Sequence, residues 1–238
     1  GTNNGVLEVS SIPPLNLGKR LRYLIRYPYG CVEQTTSSVF PQVYLAKLMD
    51  LPKGMKEKVD KNVKAGLKRL ESFQTSSGGL GYWQGATKVS DWGTNYAGHF
   101  ILEAEAAGYE VSKEFKKNWL KYQKSTANSW ASSDKASDDL VQAYRLYLLA
   151  LAGKAELGAM NRMRLKKLHK DAVSARWHLA AAYYLAGQKK VAEELSNGAV
   201  VDVLEYVKGM GAPTFGSQLR DQALILQTLS LMNQRSKA

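Results

Sequence analysis

Three helix-like apolar segments of this chain stop on the same dipeptide, at Ala107-Gly108, Ala152-Gly153 and Ala186-Gly187. Glycine just past a helix takes the left-handed turn that side chains resist, so these are stop signals with a physical cause. They recur at intervals of 45 and 34 residues. Between them apolar residues return every three or four positions, the spacing of an amphipathic helix, and strand-like alternation is almost absent. Helices are expected near 57–73, 94–107, 113–123, 138–152, 171–186, 189–196, 199–209 and 220–234. A helix pair of this period must stack on its neighbours to bury its apolar face. A weaker echo supports a repeat: Leu70 and Gln74 lead to Trp83 much as Trp119 and Gln123 lead to Trp130. The chain is thus expected to be all-α, and periodicity alone permits an open solenoid or a closed ring.

With 238 residues, 45% of them hydrophobic, the chain can bury one substantial core. Residues 1–18 carry two adjacent prolines, several Asn and Gly, and a short Val6-Leu7-Glu8-Val9 alternation. They are read as a linker or the remnant of a preceding domain, which leaves 19–238 as one folded domain. Nothing resembles a signal peptide, and the apolar run 144–152 is far too short to cross a bilayer. The net charge of +12 could attract nucleic acid, anionic lipid or an acidic protein surface. Its densest cluster is Arg162, Arg164, Lys166, Lys167, His169 and Lys170. No nucleic-acid motif accompanies it and the aromatics do not interleave with these cations, so it reads as a solvated or interdomain face. A single cysteine excludes an intrachain disulfide framework and a multi-cysteine zinc site. No two histidines have metal-ligand spacing, and no cofactor or metal is expected.

The single cysteine stands in Tyr27-Pro28-Tyr29-Gly30-Cys31-Val32-Glu33-Gln34. Residues three apart meet across one helical turn, so the Cys31 thiolate could reach the Gln34 carbonyl, expel ammonia and leave an internal thioester. Pro28 biases Tyr27 towards an extended backbone, and Gly30 permits a left-handed or close approach. Cys31 is therefore expected where an extended segment becomes a helix, whose N-terminal amides would stabilise a thiolate and a developing oxyanion. Spacing alone also fits a buried free cysteine acting as a small hydrophobe. Glu33 could orient the loop, tune the leaving thiol or simply be a surface acid. Tyr27 and Tyr29 flank the pair and could cover it from water, or pack in an ordinary core or interface. Tyr82, Trp83 and Trp92 suggest sugar stacking, but core packing at helix ends is the stronger reading, and His99 and His178 read as core or cap histidines.

This octapeptide resembles the thioester signature of the α2-macroglobulin and complement superfamily, and most of all the bacterial α2-macroglobulins. Later landmarks run in that family's order: 78–83, 90–97, 144–147 with 158–162, and 215–223. The resemblance covers nearly the whole chain and implies an α/α toroid of about six helical hairpins. It further implies an internal Cys31–Gln34 thioester that captures a protease through a lysine amine once bait cleavage uncovers it. That is single-use acyl transfer by an endopeptidase inhibitor, not turnover by an enzyme. The implied partners are target proteases and other domains of a larger parent chain, one of which completes the cover. The parent's location is expected to be exported, periplasmic or anchored to the cell envelope, and the missing signal suggests an excised fragment.

Some complement members use a histidine about a hundred residues after the cysteine to redirect the thioester to hydroxyls. The corresponding stretch, 127–139, contains no histidine, which favours the amine-directed mode. The rival reading is an α/α-toroid enzyme acting on glycans or isoprenoids. It would need facing carboxylates or zinc ligands, and only the adjacent pairs Asp138-Asp139 and Glu193-Glu194 offer themselves.

Overall fold

The computed structural model describes residues 21–133, 135–166, 168–169, 172–197, 199 and 214–233. The linker expected at 1–18 and nearly all of the helix expected at 199–209 lie outside them. The described helices are α1 (Val32–Val39), α2 (Gln42–Leu48), α3 (Lys53–Glu71), α4 (Asp91–Ala106), α5 (Lys113–Ser129), α6 (Ala136–Leu151), α7 (Leu157–Leu165), α8 (Val173–Leu185), α9 (Lys189–Ser196) and α10 (Gln218–Leu231). Among the described residues the only β pairing is two isolated bridges, Gln74 with Leu80 and Gly81 with Val89.

The arrangement is the α/α toroid. α1, α4, α6, α8 and α10 pack side by side in that order as an inner layer, while α3, α5, α7 and α9 flank them outside. Burial follows this division: α6 and α8 are buried nearly all round, whereas α3 and α5 show a polar face to water. The ring closes through side chains. The Arg220 guanidinium carbon lies 4.7 Å from the Trp92 ring centre, Gln227 approaches His99 Nε2 at 3.4 Å, and Phe215 stacks on Tyr82 with centroids 6.1 Å apart. The last helix thereby meets the first part of the ring.

The Ala-Gly stops end three inner helices, α4, α6 and α8. Gly108, Gly153 and Gly187 have φ of 91°, 68° and 78°. At each, the next N–H reaches back to the carbonyl five residues earlier: Tyr109 to Ala104, Lys154 to Leu149 and Gln188 to Tyr183. These pairings satisfy the carbonyls that a helix end leaves open.

A polar lattice fixes the middle of the ring. Buried Arg145 on α6 donates to Gln123 Oε1 (3.0 Å), Gln142 Oε1 (2.8 Å) and Asp91 Oδ1 (2.7 Å), and Gln123 donates to Asn95 Oδ1 (2.7 Å). α4, α5 and α6 are thus joined by groups whose loss would strand a buried charge. Beside this lattice Gly98 lets α4 touch the indole of fully buried Trp119; a Cβ there would sit 2.5 Å from Trp119 Nε1, which donates to Thr94 O at 3.0 Å. Gly98→Ala is expected to cost about 1–3 kcal/mol by overpacking, read from urea unfolding. An unchanged midpoint would show that Trp119 shifts freely.

The expected helix boundaries require adjustment. α4 begins at Asp91, not 94, because the Ser90 hydroxyl accepts from Gly93 N and caps the helix ahead of that glycine. α5 runs on to Ser129, and α7 had no counterpart among the expected helices.

Candidate functional site

Residues 25–29 approach α1 without regular structure, and Gly30 then turns with φ +82°. Cys31 (φ −73°, ψ 176°) is the N-cap of α1, where an extended segment becomes a helix. Cys31 and Gln34 cap each other. The sulfur accepts from Gln34 N–H, and Gln34 Oε1 accepts from Cys31 N–H at 3.1 Å. The carboxamide is thereby folded back over the turn, so that a Cβ on Gly30 would lie 2.9 Å from Gln34 Cδ. Cys31 is buried, whereas Gln34 is exposed at the end of the ring.

Two glycines let α1 sit deep between its neighbours. Added Cβ atoms at Gly93 and Gly66 would come within 2.6 Å of Val32 Cγ1 and 2.7 Å of Val39 Cγ2. From α3, Arg69 donates to Gly30 O (2.8 Å) and Thr35 Oγ1 (3.2 Å), fastening the turn before the cysteine. Sequence reasoning missed Arg69, which is 39 positions from Gly30 and in no local motif.

Tyr27 and Tyr29, expected to flank the pair, meet in a tilted contact with ring centroids 4.7 Å apart and remain 45% and 68% exposed. Core packing was expected for Trp83, but its ring is 56% exposed; the segment after Gly81 turns outward, and Trp92 on α4 takes the buried position instead. Tyr82 is half-buried against the site. Its carbonyl accepts from Val32 N at 3.1 Å, and its ring packs edge-on to Trp83 and stacks on Phe215. The neighbouring Cys31 side chain, then burial and the charges of Cys31 and Glu33, push the phenol up to about 12.

Glu33 points elsewhere, into a cavity of about 820 Å³ lined by the rings of Phe40, Tyr44 on α2, Trp92 and Tyr96 on α4, Tyr144 on α6, and Phe215. Desolvation pushes its carboxyl up to about 7, although Trp92, Arg220 and Ser37 favour the ionised form. Glu33 Oε2 and Trp92 Nε1 complete no hydrogen bond of good geometry among the described residues, so burial prevails. Deeper in the ring His99 Nδ1 bonds the Tyr144 hydroxyl at 2.8 Å. His178, fully enclosed, is held neutral, its pKa pushed down to about 3 by burial and by His99.

The basic cluster is used structurally where it is described. Arg162 donates to Ala127 O (3.2 Å) and Asn128 O (2.7 Å) at the end of α5, and Arg164 pairs with Glu194 at 2.8 Å. Lys167 and Lys170 lie outside the described residues. Of the carboxylate pairs, Asp138 accepts from Ser133 and Asp139 from His169 N, while Glu194 serves Arg164, so none forms a facing acid–base pair across the cavity. Among the described residues no three His, Cys, Asp or Glu side chains converge as for a metal, and no helix is long and apolar enough to cross a membrane.

A helical toroid with a cysteine and a glutamine reciprocally capping one inner helix defines a thioester-type domain. Residues 10–143 match the sequence family described as the A-macroglobulin TED domain, and the chain belongs to that family. It is 30% identical to Escherichia coli α2-macroglobulin over 96% of its length, and 28% identical to an α2-macroglobulin of Xylella fastidiosa over 94%. It spans only 14% of the length of each. Among solved structures it resembles Salmonella α2-macroglobulin reacted with methylamine (TM-score 0.77, 28% identity, 95% of this chain and 16% of that one). It is similar also to the native conformation of E. coli α2-macroglobulin (TM-score 0.75, 27% identity, 94% and 16%).

Proposed function

We propose that Cys31 Sγ and Gln34 Cδ join in an internal thioester and that this domain, comprising residues 19–238, serves a protease trap. The observation that carries the reading is the reciprocal cap, with Gln34 folded against Gly30 so that its acyl carbon lies over the cysteine turn. In such a trap a lysine amine of the protease attacks Gln34 Cδ, the C–S bond breaks with its electron pair going to sulfur, and an amide tethers the protease. Each domain acts once. The relatives support the amine-directed chemistry: the Salmonella protein was reacted with methylamine, and the E. coli protein was activated by trypsin and by porcine elastase. The target proteases, an exported or envelope-anchored location, and partner domains that complete the cover over Tyr27 and Tyr29 belong to this proposal. So does a part for Glu33 in orienting the loop or tuning the leaving thiol.

Intact mass decides it. Freshly prepared chain is expected to be lighter by one ammonia and to show no titratable thiol until methylamine is added, when mass rises by one methylamine and one thiol appears. A full-mass chain with a free thiol throughout would defeat the reading for this chain. With no histidine in 127–139, methylamine should outcompete glycerol at equal concentration, increasingly so as pH rises and the free amine grows. Dominant glycerol ester would show that another residue supplies hydroxyl catalysis.

A further inference from the structure

We infer that the Cys31 backbone N–H is the oxyanion donor of this site and that Arg69 is the positioning residue that aims and polarises it; the inference rests on the thioester reading above. The chemistry adds negative charge to two atoms, Gln34 Oε1 when its carbonyl is attacked and Cys31 Sγ when it departs. Each has its own backbone donor. Gln34 N–H meets the sulfur, and Cys31 N–H meets Gln34 Oε1 at 3.1 Å, within reach of the oxygen that becomes the oxyanion.

The Cys31 N–H belongs to the same peptide unit as the Gly30 carbonyl. That peptide is trans, which sets the two groups on opposite sides, so whatever holds the carbonyl also aims the N–H. Arg69 holds it, donating from Nη2 to Gly30 O at 2.8 Å. The guanidinium is pinned at two further points: Nε donates to Thr35 Oγ1 on α1 (3.2 Å), and its carbon lies 5.5 Å from the Phe73 ring centre. Thr35 is fully buried and its hydroxyl reaches back to Tyr29 O (3.4 Å), so both sides of the Gly30 turn are tied to one cation. A positive charge on the carbonyl oxygen draws electrons through the planar peptide and strengthens its N–H as a donor. That help grows as Oε1 becomes anionic, and a contact that strengthens in the transition state is one that raises a rate.

Both directions of the chemistry pass through the same oxygen. In bond formation Cys31 Sγ bonds to Gln34 Cδ and the C=O pair moves to Oε1; when the pair returns, nitrogen leaves as ammonia with the thiol proton. In aminolysis an amine nitrogen bonds to the same carbon and the pair again rests on Oε1. Its return breaks the C–S bond, and the surplus amine proton ends on sulfur. Arg69 stays charged throughout.

Arg69→Met keeps an unbranched stem over Phe73 and removes the charge. It is expected to lose ammonia about 10-fold more slowly than wild type, and its mature fraction to react about 10-fold more slowly with methylamine and with water alike. The direction of the hydrolysis change separates the roles, because a residue that only fastens the turn would, when altered, let water in and speed hydrolysis. With 13C at the glutamine carbonyl, the infrared stretch of the thioester carbonyl should lie higher in Arg69→Met than in wild type, as a weaker hydrogen bond requires. Arg69→Lys restores a charge without the Nε contact and should recover part of both rates; it also serves if the methionine variant folds poorly. Wild-type rates with an unmoved stretch in either variant, faster hydrolysis, or Arg69→Lys no better than Arg69→Met overturns the role of Arg69 and leaves the thioester standing. Wild-type chain that never loses ammonia overturns both.

Discussion

Gly30→Ala is expected to fold into the same ring and fail to acquire the Cys31–Gln34 bond. The backbone at residue 30 is left-handed, φ +82°, which for alanine costs about 1–2 kcal/mol. That lowers the thermal midpoint without unfolding the domain. The chemical effect is larger: the new methyl would press on Gln34 Cδ and, at 3.1 Å, on its Cβ, pushing the carboxamide off the cysteine. Misplacing reacting atoms by about 1 Å can cost about 100-fold, so ammonia loss should fall by that order over the hours after synthesis. Intact mass checks it, and Gly30→Ala that matures as fast as wild type would show that Gln34 has another route to the sulfur.

Glu33→Gln should stabilise the domain at alkaline pH by roughly 2 kcal/mol, discounted for the partial exposure of the carboxyl. Its folded pKa, about 7, lies above the ordinary 4.5 of the unfolded chain. The folded state therefore binds the proton more tightly, and the stability this provides is present below pH 4.5 and lost as pH rises through 7. His178 works the other way. Held near 3 against an ordinary 6.5, it binds protons better when unfolded, so its contribution is full above pH 6.5 and lost as pH falls towards 3. Between pH 4.5 and 6.5 the two slopes oppose. Wild type should be nearly flat there, and Glu33→Gln should rise with pH because only the histidine slope remains. Asp139 and Asp221, whose pKa values burial also raises, are common to both proteins and cancel in the difference. Chemical denaturation at pH 5 and 8 measures it; equal differences at both pH values would mean that Glu33 is hydrated when ionised.

Much of the fold was legible because its signals were local. The Ala-Gly endings carried enough chemistry to place the ends of α4, α6 and α8, and the Pro28, Gly30 and Cys31 order placed the start of α1. Ring closure was not local: it depends on Arg220 over Trp92 and Phe215 on Tyr82, pairs more than a hundred residues apart that no spacing rule connects. α7 escaped notice because Arg162 and Arg164 interrupt its apolar stripe, yet Arg162 is there to take up the carbonyls of Ala127 and Asn128. At the site, Cys31 and Gln34 could be named from sequence, whereas Arg69 and Tyr82 could not, since each reaches the turn from a distant element. The aromatics 82, 83 and 92 show the limit clearly. Composition marked all three for the core, and only the direction of the loop after Gly81 sends Trp83 to water and Trp92 inward.

The wedging of α1 bears on what happens after capture. Cargo joined at residue 34 would hang from an eight-residue helix, and any pull on it would pass along that rod into the two valines seated against Gly93 and Gly66. Arg69 grips the turn above, at Gly30. The load is then shared by the third and fourth helices of the ring at once, so a struggling captive works against the framework of the whole domain and not against a single frayed turn.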